Sequence, residues 1–252
     1  MSQKTKDLRD AFRPRQGSER ERELARARPG EIVAILGPHL TDERRRRIDE
    51  VVANRTLRLA VALEGVHDPH NAAAVVRTAD AFGVQRVHIV QNGVRFRASR
   101  KVTQGTHKWV DISVWKTPAP FAAAMREAGT RVLVAAMDGA IDVREIDLAR
   151  PAVLVFGNEA DGISEEMRGL ADGAFRIPMF GFVESFNVSV AAAIAVSSLR
   201  SGGGGDLIPA EAEELRARWY LRSARAGYEI AVHALERKGV LEPDGSRRTG
   251  IG

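Results

Sequence analysis

The sequence predicts an α/β fold, a mostly parallel sheet with helices on both faces. Three observations carry that prediction. Short β-forming runs alternate with alanine-rich helical stretches between Leu59 and Leu199. One of the runs, Val153–Phe156, is apolar at every position, and glycines stand where the helical stretches should end.

Each element follows from local chemistry. The expected strands are Leu59–Leu63, Arg86–Val90, Arg131–Met137 and Ala152–Phe156, and the expected helices include Ala72–Phe82, Pro120–Ala128 and Val188–Leu199. Gly83 and Gly129 occupy C-cap positions, where a left-handed residue closes the last helical turn. These elements make up a domain over 59–200. Ahead of it, Thr41, Asp42 and Glu43 open a basic helix assigned to 41–58, in which Ile48, Val51 and Val52 form an apolar stripe beneath Arg44, Arg45, Arg46 and Arg47. Residues 1–30 are rich in Arg, Glu and Gln and poor in large apolar groups, so 1–40 is expected to be a flexible basic arm. Beyond the domain, Ser201–Gly205 reads as a flexible linker and Pro209–Arg237 as one helix, making 201–252 a linker and helical appendage.

Composition removes several function classes. At 252 residues the chain can bury a sizeable core without covalent staples. It has no cysteine, which excludes disulfides, thiolate metal sites and cysteine nucleophiles, and no apolar run approaches the roughly 20 residues of a membrane span. The charged N-terminus lacks a signal peptide's apolar stretch, so the expected location is cytoplasmic, with no membrane partner. The net charge of +5 is unevenly placed, because residues 1–58 hold 15 Lys+Arg against 10 Asp+Glu, which is the whole excess. A second basic stretch, residues 81–110, contains Arg86, Arg95, Arg97, Arg100, Lys101 and Lys108 and no acid. Two such regions favour a polyanion partner, since their charge acts through phosphate contacts and counterion release.

The common nucleotide signatures are missing. No G-x-G-x-x-G follows the first strand, and the Walker-like string Gly157–Ser164 has Ile163 where the phosphate-binding lysine would stand. His67 and His70 lack a nearby acidic motif or any cysteine, so no metal site is expected. Three other segments are harder to read as scaffold. In the first, Gly65–Asp80, Asn71 is placed to cap a helix, and Arg77 stands among small apolar residues of a helix expected to pack on the sheet. A guanidinium there needs an anionic or carbonyl partner, and Asp80, three residues on, is the structural candidate. The second, Val153–Ser164, runs from an apolar strand into a glycine-bounded polar loop containing Glu159, where open α/β sheets gather their ligands. The third, Ile177–Ala191, runs into an alanine-rich helix with Asn187 as its cap. Two Asn-started helices would jointly present backbone N–H groups to a phosphate.

Together these segments resemble the SpoU family of RNA 2′-O-ribose methyltransferases, of the SPOUT superfamily, over roughly residues 41–200. The family's first motif appears as Asn71 through Arg77, its second as Asn158, Glu159 and Gly162, and its third as Ser185, Asn187 and the following Val-Ser-Val-Ala-Ala. Within the family, His67-Asp68-Pro69-His70-Asn71 and Gly105-Thr106-His107-Lys108-Trp109-Val110 look most like the members that methylate guanosine 18 in the tRNA D-loop.

The resemblance implies a SPOUT-type fold with a trefoil knot in the C-terminal half, an exception to the usual connection rules. It further implies S-adenosylmethionine as cofactor, a homodimer and tRNA as substrate. The small residues of Val188–Leu199 agree with close helix packing between subunits, as core burial also would. Carried over by motif, the cofactor residues are Ala135, Gly157, Ile177, Met179 and Phe186. The catalytic set is Arg77, Asn71, Glu159, Ser185 and Asn187, with Arg77 as base while the others orient it, the ribose and the knot loops. Arginine is a reluctant base, so a phosphate grip with the proton leaving elsewhere is the alternative role. RNA capture falls to Arg44, Arg45, Arg46, Arg47, Arg55, Arg97, Lys101 and Lys108. Ribosomal RNA or another tRNA position remains an alternative target, and a non-catalytic RNA-binding protein is the rival from a different class.

Overall fold

The computed structural model describes residues 18–93, 108–158 and 161–240. Its sheet contains β1 (Thr56–Glu64), β2 (Val84–Val90), β3 (Asp111–Trp115), β4 (Arg131–Ala135), β5 (Ile141–Asp142), β6 (Ala152–Phe156) and β7 (Gly173–Arg176), in the order β3-β2-β1-β6-β4-β7-β5. Every adjacent pair runs parallel. The helices of this unit are α4 (Pro69–Ala81), α5 (Pro118–Glu127), α6 (Glu165–Leu170) and α7 (Val188–Arg200).

Side-chain alternation along the strands sorts the core into two layers. Leu59, Val61 and Leu63 of β1, with Ala152, Leu154 and Phe156 of β6, pack with α4 through Ala72, Val75, Val76 and Ala79 and with α7 through Val188, Ala192, Ala195 and Val196. The intervening residues, Ala60, Ala62, Val153 and Val155, face Phe121 and Met125 of α5 and Met167 of α6. Ala192 and Ala195 are therefore buried inside the subunit, which accounts for their small size. Gly83 at φ 75° and Gly129 at φ 64° close α4 and α5 in the left-handed conformation read from the sequence.

Strands β3, β5 and β7 are absent from the strands expected from the sequence, β7 because only Phe175 of its four residues is buried. All five residues of β3 are only half-buried, so its apolar signal is diluted, and β5 is two residues long. The strand expected over Arg131–Met137 ends at Ala135.

A second unit joins the two ends of the chain, 18–54 and 207–240. It holds α1 (Ser18–Ala27), α2 (Pro29–Leu36), α3 (Asp42–Val52), α8 (Pro209–Ser223) and α9 (Gly227–Arg237). The expectation of a flexible arm over 1–40 is corrected for its described part, because α1 and α2 are helices that pack on α8. Leu24, Ala25, Ile32 and Leu36 are buried, as are Leu215, Trp219 and Leu221 of α8. The partners of these apolar faces lie about two hundred residues away, which a local reading cannot pair. The single helix expected over Pro209–Arg237 is two, broken at Ala226 with φ 54°. A side chain at Gly227 would stand 2.4 Å from the Leu221 carbonyl oxygen. The basic helix opens as expected, with Thr41 Oγ1 accepting from Arg44 N at 3.2 Å.

Because the sheet is parallel, all strand carboxyl ends share one edge. The chain moves outward from β1 through β2 to β3, then crosses to the other side of β1. The helix after β1 covers one face and the helix after β6 covers the other. Neighbouring β1 and β6 thus form a topological switch point, the place where open α/β sheets gather their ligands.

Candidate active site

Two asparagines from distant segments meet at this edge. Asp68, rather than Asn71, caps α4, its Oδ1 accepting from His70 N at 2.8 Å with Pro69 in the first turn. Asn71 is thereby released from the capping role expected of it. Its Oδ1 accepts from Asn187 Nδ2 at 3.2 Å. Asn187 does cap its helix, as expected, with Oδ1 accepting from Ser189 N at 2.9 Å, Val190 N at 3.4 Å and Ser189 Oγ at 2.6 Å. Ser185, exposed, and Phe186, half-buried, immediately precede that cap.

The loop after β6 closes on itself with backbone against backbone at its neck. A Cβ at Gly157 would fall 2.0 Å from the carbonyl carbon and oxygen of Gly162, so only glycine is admitted there. Asn158 and Gly162 form an antiparallel bridge, Gly162 N donates to Asn158 O at 3.1 Å, and Asp161 N donates to Asn158 Oδ1 at 2.8 Å. Across the switch point, a Cβ at Gly65 would lie 3.3 Å from Asn158 Nδ2. The loops that follow β1 and β6 are therefore in close approach. Glu159 lies outside the described residues.

The loops after β4 and β7 make a second close approach. Ala135 pairs in register with Phe175, a Cβ at Gly139 would stand 2.3 Å from the Phe175 carbonyl carbon, and Arg176 Nη1 donates to Gly139 O at 2.8 Å. Ala135, Ile177 and Met179 are half-buried here, the first two packed against the core. Backbone and small apolar side chains with glycine at the tightest points suit a flat, apolar-faced group such as adenine. The glycine-lined backbone with the half-buried Ala135, Ile177 and Met179 fits the adenosyl part of S-adenosylmethionine.

Arg77 is placed differently from the sequence expectation. The buried face of α4 is Ala72, Ala73, Val75, Val76 and Ala79, and Arg77 projects from the opposite side, exposed. It makes no hydrogen bond or ion pair among the described residues. Asp80 is taken instead by Arg55 Nη2. This corrects the assignment of Arg55 to RNA capture, since its side chain is 1% exposed and committed to an internal ion pair. Of the helix arginines, Arg44 Nε donates to Ser223 Oγ at 3.3 Å, Arg45 pairs with Asp42, Arg47 pairs with Glu50 at 3.3 Å, and Arg46 is exposed. Lys108 is exposed, and Arg97 and Lys101 lie outside the described residues.

Sequence reasoning passed over Asp68, Glu64 and Ser164. The available signal for Glu64 was a carboxylate closing an otherwise apolar strand directly before a glycine. Among the described residues no helix is long and apolar enough to cross a membrane.

Known proteins resemble this chain in sequence and in fold. The tRNA (guanosine(18)-2′-O)-methyltransferase of Escherichia coli is 37% identical over 206 residues, 78% of this chain and 87% of that protein. The solved TrmH/SpoU tRNA modifying enzyme of Aquifex aeolicus superposes with a TM-score of 0.63 at 30% identity, over 72% of this chain and 97% of its own. The AdoMet-bound rRNA methyltransferase of Sinorhizobium meliloti gives a TM-score of 0.52 at 28% identity, over 62% and 60% of the two chains. Residues 58–197, which contain the joined asparagines and both glycine-gated loops, match the SpoU rRNA Methylase family, and the chain belongs to that family.

Proposed function

We propose that this protein transfers a methyl group from S-adenosylmethionine to a ribose 2′-hydroxyl of tRNA, at guanosine 18 of the D-loop. The observation that carries the reading is the Asn187–Asn71 hydrogen bond, which joins the family's first and third motifs. The identity with the E. coli enzyme, across most of that protein's length, supports the tRNA target.

When bound, S-adenosylmethionine supplies the electrophilic methyl carbon. The chain supplies position. Asn187 spends its carbonyl on the first turn of α7 and its amide on Asn71, so the third-motif loop enters the site at a fixed angle before RNA arrives. Arg77, projecting into solvent, meets the incoming ribose and its phosphate. As a guanidinium it presents a planar fork of N–H donors suited to phosphate oxygens, and the 2′-hydroxyl proton passes to solvent water at this exposed edge, or to Arg77 itself only where Arg77 is in its neutral guanidine form. Ser185, in the loop before α7, and Glu159 complete the set that orients ribose and cofactor. The half-buried Phe186 joins Ala135, Gly157, Ile177 and Met179 around the cofactor. The arginines of α3, with Arg97, Lys101 and Lys108, contact RNA phosphates.

The protein acts in the cytoplasm as a homodimer, its C-terminal half carrying the trefoil knot that the resemblance implies. The exposed Phe180, Phe182, Val183 and Val190 support the dimer, since they offer apolar surface for a second copy to cover. The test is to incubate the purified protein with S-adenosylmethionine and unmodified tRNA or ribosomal RNA, then map ribose methylation by nucleotide. 2′-O-methylation at guanosine 18 supports the reading. Methylation confined to ribosomal RNA, or to another tRNA position, overturns its substrate assignment.

A further inference from the structure

Glu64 ends β1 at the switch point with its side chain buried, 2% exposed. Burying a carboxylate is costly unless its oxygens are satisfied. Glu64 has no ion pair among the described residues, and its oxygens are taken by three neutral donors. Oε2 accepts from Ser164 N at 3.1 Å, and Oε1 accepts from Ser164 Oγ at 2.6 Å and from Asn92 Nδ2 at 2.9 Å. Ser164 is held at both its donors, and its Oγ also accepts from Met167 N at 3.1 Å to cap α6. Ser164 is the residue where the loop after β6 ends. Gly162, two residues before it, is the backbone against which Gly157 closes.

Asn92 sits in the left-handed region at φ 41°, and its own N donates to Lys116 O at 3.1 Å. Glu64 thus fastens three connections at once: the start of its own, at Gly65, the one after β2 through Asn92, and the one after β6 through Ser164. None of the residues in this clamp belongs to the site set described above.

We propose that Glu64 is a positioning residue for methyl transfer: through Ser164 it sets the height of the Gly157–Gly162 loop over β1, and so the shape of the cofactor site. A glutamine is isosteric but has one acceptor oxygen: placed at the Oε1 position, that oxygen keeps Ser164 Oγ and Asn92 Nδ2, while the N–H₂ at the Oε2 position faces the Ser164 N–H, so the backbone bond from Ser164 is lost. A carboxylate accepting from Ser164 twice is worth more than a neutral bond, and its loss is felt by the loop rather than by the RNA.

The inference rests on the proposed methyltransferase reading, and the test separates the two. S-adenosylmethionine affinity is measured by calorimetry on the full-length parent, Glu64→Gln, Ser164→Ala and the double variant, with kcat and KM for tRNA alongside. The expected result is roughly a tenfold weaker cofactor Kd in each single variant, a lower kcat, and an unchanged KM for tRNA. The double variant should lose less than the sum of the two single losses, because the two substitutions break different bonds of one Glu64–Ser164 contact. A merely structural role lowers the folded fraction without moving the Kd of the folded protein. If Glu64→Gln does not fold, Ser164→Ala alone carries the test. Cofactor affinity within twofold of the parent in the folded variants, or additive losses in the double variant, overturns the proposal. A parent that binds no S-adenosylmethionine overturns the methyltransferase reading instead.

Discussion

Asn187 Nδ2 donates to Asn71 Oδ1 at 3.2 Å across 116 residues of sequence, so one hydrogen bond ties the first turn of α4 to the cap of α7. Asn187→Ala removes this bond together with the cap. It should destabilise the protein by about 1 kcal/mol in a denaturant melt and depress methyl transfer more than that loss explains. Asn71→Ala removes the link and leaves the cap of α7 in place. It should leave the melt nearly unchanged while lowering kcat, and equal rates for Asn71→Ala and parent would detach this pair from the chemistry.

Gly157→Ala tests the closed loop after β6. With Gly162 backbone 2.0 Å from the position of the new Cβ, the loop must open. S-adenosylmethionine should then give no thermal stabilisation, whereas it raises the parent's melting temperature. Gly181→Ala, where a Cβ meets nothing within 4 Å, is the control and should retain that stabilisation.

Buried and exposed arginines should part company. Arg55→Ala strips the partner from Asp80 inside the protein and should cost about 3 kcal/mol of stability. Replacing Arg44, Arg45, Arg46 and Arg47 by Gln should cost little stability, because surface ion pairs are weak, yet weaken tRNA binding and flatten its salt dependence. Unchanged tRNA affinity would remove α3 from the RNA surface.

His88 gives a pH signature unrelated to catalysis. Burial, and secondarily the charge of Arg86, lowers its pKa from 6.5 to about 4, and its Nδ1 accepts from Trp115 Nε1 at 3.1 Å, which requires the neutral ring. The unfolded chain takes up this proton first as pH falls through 6.5, so stability is lost between pH 6.5 and about 4, by about 3 kcal/mol in all. His88→Gln should flatten urea midpoints across that window, and an unchanged slope would assign the titration elsewhere.

Much of the sheet was legible in the sequence because its central strands are apolar on both faces and two of its helices, α4 and α5, are closed by glycine. Gly83, Gly129, Thr41 and Asn187 each signal their role through local chemistry. What stayed hidden depends on partners distant in sequence. Asn71 looks like a cap until Asp68 is seen to take that bond. Arg55 looks like a surface cation until Asp80, twenty-five residues on, neutralises it. Arg77 looked buried because its neighbours are small and apolar, but the helical phase turns it outward. The helices of 18–36 looked unable to bury a core because α8 and α9 supply the other half of it. The three motifs could be read one by one, whereas their convergence at the β1/β6 switch point required the strand order.

The most direct measurement is the single-turnover rate of methyl transfer to tRNA by Arg77→Ala protein, taken together with its tRNA and S-adenosylmethionine affinities. Arg77 is exposed and makes no contact among the described residues that would hold the fold, so the variant should fold and bind cofactor like the parent. The account predicts a rate at least about a hundredfold lower with cofactor binding intact. A rate near the parent's in a protein that binds both partners would contradict it.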